Sequence, residues 1–465
     1  MKKMKVLLIN ISLRPDTPVL MPPLGLAYIA TAIHNSGFDL EILDIDAYRY
    51  SDEELETQLK EKSYDVAALG CIVTAYRYVK KIANIIKKNK DALIIAGNSV
   101  ASSISETLLT KTDVDIAVMG EGDITIIQLL NAIKMNNDLK TVNGIAFIDK
   151  GNIVYTKLQK PIKDINELPF INWSLFDIDL YIDKSKLYTY EPFPIPYETI
   201  RLLPINTARG CLFNCSFCYN VFKNYKYRVR SPENICNEIE ELKKIYDINY
   251  ISLHDELSFY SAKHCEQFAD TLIKRKLNIF WKAACRSDLL KMKDIHIVNK
   301  LKESGCVGLG FSLESANKKI LEAMHKNTNV NDFKEQVAVV RKGGLAVWTS
   351  IVIGYPQETE ETLNETFTCC EDTEVYPSVG YLIPLPGTSI YNYALQTGAI
   401  KDEEDYLMNA GDRQDFRINL TAMKTQHIKK IVKTSLIKIS DKLKLGLDKS
   451  KLIKTGRYKH KKMED

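Results

Sequence analysis

The feature that most constrains this chain is a double run of short, almost wholly apolar segments alternating with helix-length amphipathic ones. In the first run the apolar segments are Lys5–Asn10, Leu40–Ile45, Val66–Ile72, Ala92–Ala96 and Ile116–Met119. Strands that are apolar on both faces belong to parallel sheets covered by helices above and below. Leu24–Ser36, Ser51–Lys62, Tyr76–Lys88 and Ser105–Leu109 lie between them with helical spacing, and Asp123–Ile133 adds one more helix. This alternation specifies an α/β, doubly wound, Rossmann-like sheet. Gly144–Ile148 and Asn152–Thr156, separated by a Lys-Gly turn, read as a hairpin, and the first domain closes at residue 156.

The second run has strand candidates at Leu203–Thr207, Tyr250–Leu253, Phe280–Cys285, Val307–Ser312, Ala346–Ile353 and Val379–Ile383. Helical patterns between them cover Pro232–Tyr246, Ala262–Lys276, Lys291–Ser304, Ala316–Met324 with Val330–Arg341, and Thr359–Glu371. Six β/α repeats are too few for a closed eight-stranded barrel. They predict a partial (β/α)6 barrel over residues 201–400, with its functional groups at the C-terminal strand ends. Residues 157–200 are rich in Pro, Asp and Tyr with little periodicity and read as a linker packed on the surface. Residues 401–465 read as a helical, lysine-rich segment with a solvated face.

Bulk properties exclude several classes. Lys plus Arg is 63 against 59 Asp plus Glu, a net charge of +4, and no nucleic-acid partner is expected. No apolar run approaches the roughly 20 residues of a membrane span. Met1-Lys2-Lys3-Met4-Lys5 runs into a strand without a signal-peptide pattern, so the expected location is cytoplasmic. In that reducing setting the ten cysteines are not a disulfide framework. Most, such as Cys71, Cys265, Cys285, Cys306, Cys369 and Cys370, read as buried small residues.

Three cysteines stand apart. Arg209-Gly210-Cys211-Leu212-Phe213-Asn214-Cys215-Ser216-Phe217-Cys218-Tyr219 follows the first barrel strand with Cys-x3-Cys-x2-Cys spacing. Three thiolates on one short loop can wrap three corners of a [4Fe–4S] cluster and leave the fourth iron open. A zinc site would want a fourth Cys or His at short spacing. The nearest later ones, Cys236 and His254, fall on a predicted helix and a strand end.

This loop, with the aromatic Phe217 before its third cysteine, resembles the radical S-adenosylmethionine superfamily. The resemblance implies that S-adenosylmethionine chelates the open iron. One electron then splits it into methionine and a 5′-deoxyadenosyl radical. It also implies S-adenosylmethionine contacts at later strand ends. His254-Asp255-Glu256 resembles the acidic pair of cobalamin-binding members, with a helix cap as the other reading for Asp255. Arg286, in Cys285-Arg286-Ser287-Asp288, would fork onto the ligand carboxylate or form a loop ion pair. Glu314, in Ser312-Leu313-Glu314-Ser315, resembles the family's Glu-Ser pair. Gly354 and Pro356, in Gly354-Tyr355-Pro356-Gln357-Glu358-Thr359, resemble its turn near the adenine, where they shape backbone. Leu385-Pro386-Gly387-Thr388 with Tyr391 also matches a barrel-end pattern. His254 itself reads as structural, with an acid/base role as the alternative.

Doubly wound sheets bind ligands at their C-terminal strand ends. In the first domain those loops are Ile11–Pro23, Cys71–Tyr76, Gly97–Ser102 and Gly120–Asp123. Gly97, Ser99 and Ser102, with Gly120, Glu121 and Gly122, resemble the cofactor loops of cobalamin-binding domains attached to radical enzymes. Two departures stand out. The first loop has no histidine for the cobalt, and Val100 occupies a position where many members have His. The other reading is a Rossmann-like domain used for docking.

The resemblance implies a cobalamin-dependent radical enzyme, most simply a methyltransferase acting on an unactivated carbon, or on phosphorus, of a small molecule. A reductant such as flavodoxin or ferredoxin would supply electrons. Radical ring contraction or oxidative cyclisation is the enzymatic rival, and an iron–sulfur sensor or scaffold the non-enzymatic one. Methylthiotransfer to RNA would need a second cysteine triad in the first domain, where only Cys71 stands.

Overall fold

The computed structural model describes residues 4–14, 17–189, 191–223, 225–449 and 452–453. The first run forms strands β1 (Lys5–Asn10), β2 (Asp39–Asp44), β3 (Val66–Gly70), β4 (Leu93–Gly97) and β5 (Ile116–Val118). The hairpin adds β6 (Ile145–Asp149) and β7 (Asn152–Tyr155). All seven make one sheet in the order β2-β1-β3-β4-β5-β6-β7. The first five strands run parallel, and β6 and β7 are antiparallel additions at one edge. The order reverses between β1 and β3, which opens a crevice beyond their C-terminal ends.

The second run gives β8 (Leu202–Ile205), then a two-residue pair, β9 (Ala208–Arg209) with β10 (Arg228–Val229). It continues through β11 (Tyr250–Leu253), β12 (Phe280–Cys285), β13 (Cys306–Phe311), β14 (Ala346–Ile353) and β15 (Pro377–Tyr381). Six of these form a parallel sheet in the order β15-β14-β13-β12-β11-β8, which is an open half-barrel. Side chains alternate across each strand. Ile251, Trp281, Leu309, Ile351 and Val379 pack under the helices. Their neighbours Ser252, Ala284, Gly310, Ser312, Ser350 and Ser378 line a cavity instead. These small inward residues keep the lumen hollow where bulkier ones would fill it.

Two expectations are corrected. Residues 157–200, expected as a linker packed on the surface, are buried more deeply than that. They carry a helix, Ile178–Ser185, bury Ile171, Trp173, Tyr181 and Ile182 in the main core, and bury Ile165 as well. The Tyr181 hydroxyl donates to the Asp44 carboxylate at 2.7 Å and accepts from Asn10 Nδ2 at 3.0 Å. The segment packs through short turns and one eight-residue helix, too short to show a period. Trp173→Ala is expected to cost about 3–5 kcal/mol, read as a lower denaturant midpoint with unchanged slope. The second correction concerns residues 97–102. Only Gly97 lies outside a short helix, Asn98–Ser103, and composition alone does not separate a Ser/Ala-rich turn of helix from a loop.

The C-terminal segment is helical over Glu403–Asn409 and Thr425–Lys442. The second of these packs Ile428, Val432, Leu436 and Ile439 against the helix Glu360–Asp372 and shows lysines to solvent. Residues 454–465, also expected to be helical, lie outside the described residues.

Candidate active site

The cysteine loop leaves β9 and returns into β10. Ser216 pins it. Its amide donates to Met324 O at 2.9 Å, and its hydroxyl donates to Ala323 O at 2.8 Å and meets the Tyr355 hydroxyl. Its carbonyl accepts from Ile390 N at 3.2 Å. Gly210 turns the chain with a φ of +91°, and its amide donates to Glu256 Oε2 at 2.8 Å. Cys211 and Cys215 are half-buried and Cys218 is exposed. Cys218 keeps contact with solvent, but the protein packed around its sulfur, and then the neighbouring Cys215 and Cys211, push its thiol up to about 12. The three sulfurs therefore share one electrostatic environment, which a bound cationic cluster would relieve by holding them as thiolates. Among the described residues no three His, Cys, Asp or Glu side chains converge on a single-ion site. The donor set fits a cluster, where each thiolate takes its own iron.

The other barrel residues expected at the site divide. Glu256 lines the cavity beside the cysteine loop. Asp255 also lines it, but its carboxylate is filled by Asn206 Nδ2 at 2.7 Å, the Thr207 amide and hydroxyl at 2.7 and 2.6 Å, and the Ala208 amide at 3.0 Å. It fastens the end of β8 to the cysteine loop. It caps no helix, since Ser261 does that for Ala262–Arg275. Arg286 makes a fork with Asp288 at 3.0 Å, donates to Asn327 O and stacks 3.6 Å over Phe213 of the cysteine loop. The loop ion pair is thus the arrangement present. Glu314, at φ +59°, pairs with Lys326 at 2.8 Å.

Gly354 and Pro356 form a tight turn with Gly354 at φ +109°. Its amide donates to Glu358 Oε2 at 2.6 Å. Burial pushes the Glu358 carboxyl from 4.5 up to about 7. The unfolded chain ionises first, so stability is full below about 4.5 and falls as pH rises to about 7. Glu358→Gln is expected to remove that dependence, worth roughly 3 kcal/mol. Melting curves of both proteins at pH 5.5 and 8 check it: the wild type should lose more stability across this step than the variant.

The crevice of the first domain and the mouth of the half-barrel face one cavity of about 800 Å³. Gly97, Asn98, Gly120, Glu121 and Gly122 line it from the first domain. Nothing lies within 4 Å of where a Cβ on Gly97 would sit, so this strand end offers an open, flat face that fits a broad ring such as a corrin. The hydroxyls of Ser99 and Ser102, expected at the cofactor, each hold a backbone amide of the fold. Ser99 is buried and accepts from the Val73 amide at 2.8 Å, and Ser102 accepts from the Gly120 amide at 3.0 Å. Gly97→Phe is expected to leave the cluster intact and abolish cobalamin retention through gel filtration.

Sequence reasoning missed the joint between the domains. Arg209, just before the cysteine loop, meets Glu121 at 2.6 Å and Asp123 at 2.8 Å, and Arg228 meets Glu121 at 2.9 Å. All four side chains are nearly buried. Glu121, expected at the cofactor, is thus committed to this joint while lining the cavity. Lys282 was missed as well, although a lysine inside the apolar segment Phe280–Cys285 was a readable signal.

Comparison with known proteins agrees with this architecture. The Radical SAM superfamily model matches residues 205–370, and the B12 binding domain model matches residues 16–130. The chain is 25% identical to an uncharacterized methyltransferase of Pyrococcus horikoshii, over 85% of this chain and 84% of that protein. It is 28% identical to an anaerobic magnesium-protoporphyrin IX monomethyl ester cyclase of Cereibacter sphaeroides, covering 76% of this chain but only 56% of the cyclase. Its fold is shared with a radical S-adenosylmethionine methyltransferase, TsrM, of Kitasatospora setae, at a TM-score of 0.65 and 18% identity over 85% of this chain and 77% of that one. The protein is a radical S-adenosylmethionine enzyme. Within that superfamily it belongs to the family with an N-terminal B12-binding domain, whose cofactors are a [4Fe–4S] cluster, S-adenosylmethionine and cobalamin.

Proposed function

We propose that the protein transfers a methyl group to an unactivated carbon, or to phosphorus, of a small molecule held in the shared cavity. The observation that carries this reading is the cavity itself, walled by the C-terminal strand ends of both domains with the cysteine loop at its border. When bound, the cluster supplies the electron that cleaves S-adenosylmethionine to a 5′-deoxyadenosyl radical, and cobalamin supplies the methyl group. The chain's own work is to fix these groups and to exclude water.

Cys211, Cys215 and Cys218 would hold the cluster, and the free Glu256 oxygen would accept from the ammonium of S-adenosylmethionine. Arg286, Glu314, Gly354 and Pro356 shape the loops around that ligand, while Gly97 lets cobalamin approach the backbone and Gly120 and Gly122 line the cavity beside it. Leu212 and Cys218 are exposed on the cysteine loop, which suits docking of a flavodoxin or ferredoxin. Ten free cysteines and the lack, among the described residues, of any helix able to span a membrane support a cytoplasmic setting.

The test uses S-adenosylmethionine carrying a CD3 group, with reconstituted enzyme and a small-molecule extract under anaerobic conditions. Replacement of a hydrogen by CD3 in one metabolite supports methyl transfer. Deoxyadenosine formed with loss of hydrogen from a metabolite, and no label gained, supports the cyclisation performed by the magnesium-protoporphyrin relative.

A further inference from the structure

The cavity continues into the lumen of the half-barrel, and there its charge changes sign. Four carboxylates line the cavity: Glu121, Asp123, Asp255 and Glu256. All four lie on the cysteine-loop side, and each already accepts hydrogen bonds from the protein. The lumen side instead presents Lys282 and Arg413 with serine hydroxyls.

Lys282 sits mid-strand on β12 and is buried. Its amine donates to Tyr188 O and lies 3.7 Å over the Tyr188 ring. Arg413 comes from the far C-terminal segment. Its carbonyl accepts from the Tyr381 amide at 2.7 Å, which lays this segment along β15. Its stem crosses Gly380, where an added Cβ would stand 3.3 Å from Arg413 Cδ, and its guanidinium reaches Ser378 Oγ at 3.5 Å. Tyr188, Lys282 and Arg413 line the same cavity. Burial pushes the Lys282 amine well below the usual lysine range, and an anion beside it would hold its proton in place. The His254 ring meets Tyr188 edge-on at 5.5 Å, and its Nε2 is buried without a hydrogen-bond partner.

Positive groups converging in a pocket with low-dielectric walls focus potential onto an anion. We infer that the substrate carries an anionic group, a carboxylate or a phosphate, seated between Lys282 and Arg413, with His254 Nε2 completing the polar contacts. This rests on the reading of the cavity as the substrate chamber. It narrows that reading: neutral apolar and cationic molecules are rejected at the lumen end.

The test is binding, measured by saturation-transfer NMR on the cluster- and cobalamin-loaded protein in its oxidised state. The probes are hexanoate with hexanamide, and hexyl phosphate with hexanol. At least one anion should bind roughly tenfold or more tightly than its neutral partner, as a charge-assisted contact requires. Whichever anion shows the larger preference identifies carboxylate or phosphate as the group. Arg413→Gln, at an exposed position, and Lys282→Met should each cut the preference severalfold. Equal binding of anions and neutral partners, or a preference intact in both variants, overturns the inference. The readout needs no turnover. Protein that binds the anion selectively yet never forms deoxyadenosine refutes the radical-enzyme reading and leaves this one standing.

Discussion

Cys215→Ser is expected to reduce deoxyadenosine formation to background while the protein stays folded. Serine matches cysteine in shape but is a poor ligand for iron in a cluster. The loop does not depend on the thiol for its conformation, which is set by the four contacts of Ser216 and by Gly210 on Glu256. The melting free energy should therefore change by no more than about 0.5 kcal/mol. Loss of the cluster's visible absorption together with deoxyadenosine, at unchanged stability of the apoprotein, is the expected pair of results. The same holds for Cys211 and Cys218. A variant that keeps full activity would remove that cysteine from the cluster.

Arg209→Met is expected to destabilise the protein by about 3–5 kcal/mol, because it strands a nearly buried carboxylate at Asp123 and weakens the hold on Glu121. The loss should be insensitive to salt, unlike that of an exposed pair. Its effect reaches the cluster, since Arg209 directly precedes Gly210 and Cys211. The variant should lose reconstituted cluster faster on dilution than the wild type. Arg209→Lys keeps the charge but not the fork to Asp123, so it should fall between the two. Chemical denaturation and the decay of cluster absorption check both halves. A neutral Arg209→Met would mean that the joint contributes nothing to holding the domains together.

The regular parts of this fold were legible because they repeat. Val66, Ala67, Ala68 and Leu69 are apolar in succession, and a strand buried on both faces has no other pattern. The Gly, Ser and Ala positions facing the lumen were equally present in the sequence, but their meaning depends on which side of each strand faces inward. Trp173 and Tyr181 were illegible for a different reason: Trp173 sits in a three-residue turn and Tyr181 in an eight-residue helix, both too short to show a period. The cysteine loop could be read because its chemistry is local, three thiols within eight residues. The joint of Arg209 and Arg228 with Glu121 and Asp123 joins positions about a hundred residues apart, and nothing in either stretch announces the other. The same holds for Arg413, which reaches the lumen from outside the barrel strands. Ser99 and Ser102 show the converse ambiguity. A small polar residue in the right loop suits a ligand and a backbone amide equally well, and here the amides of Val73 and Gly120 have them.

The central claim is that the cysteine loop and the first domain serve one cavity with two cofactors. Its most direct test is anaerobic: the cluster is reconstituted, reductant, S-adenosylmethionine and hydroxocobalamin are added, and products and bound cofactor are identified by mass spectrometry. Deoxyadenosine formed by protein that retains cobalamin is the result expected here. Neither product nor retained cobalamin, from protein with a full cluster, would contradict the account.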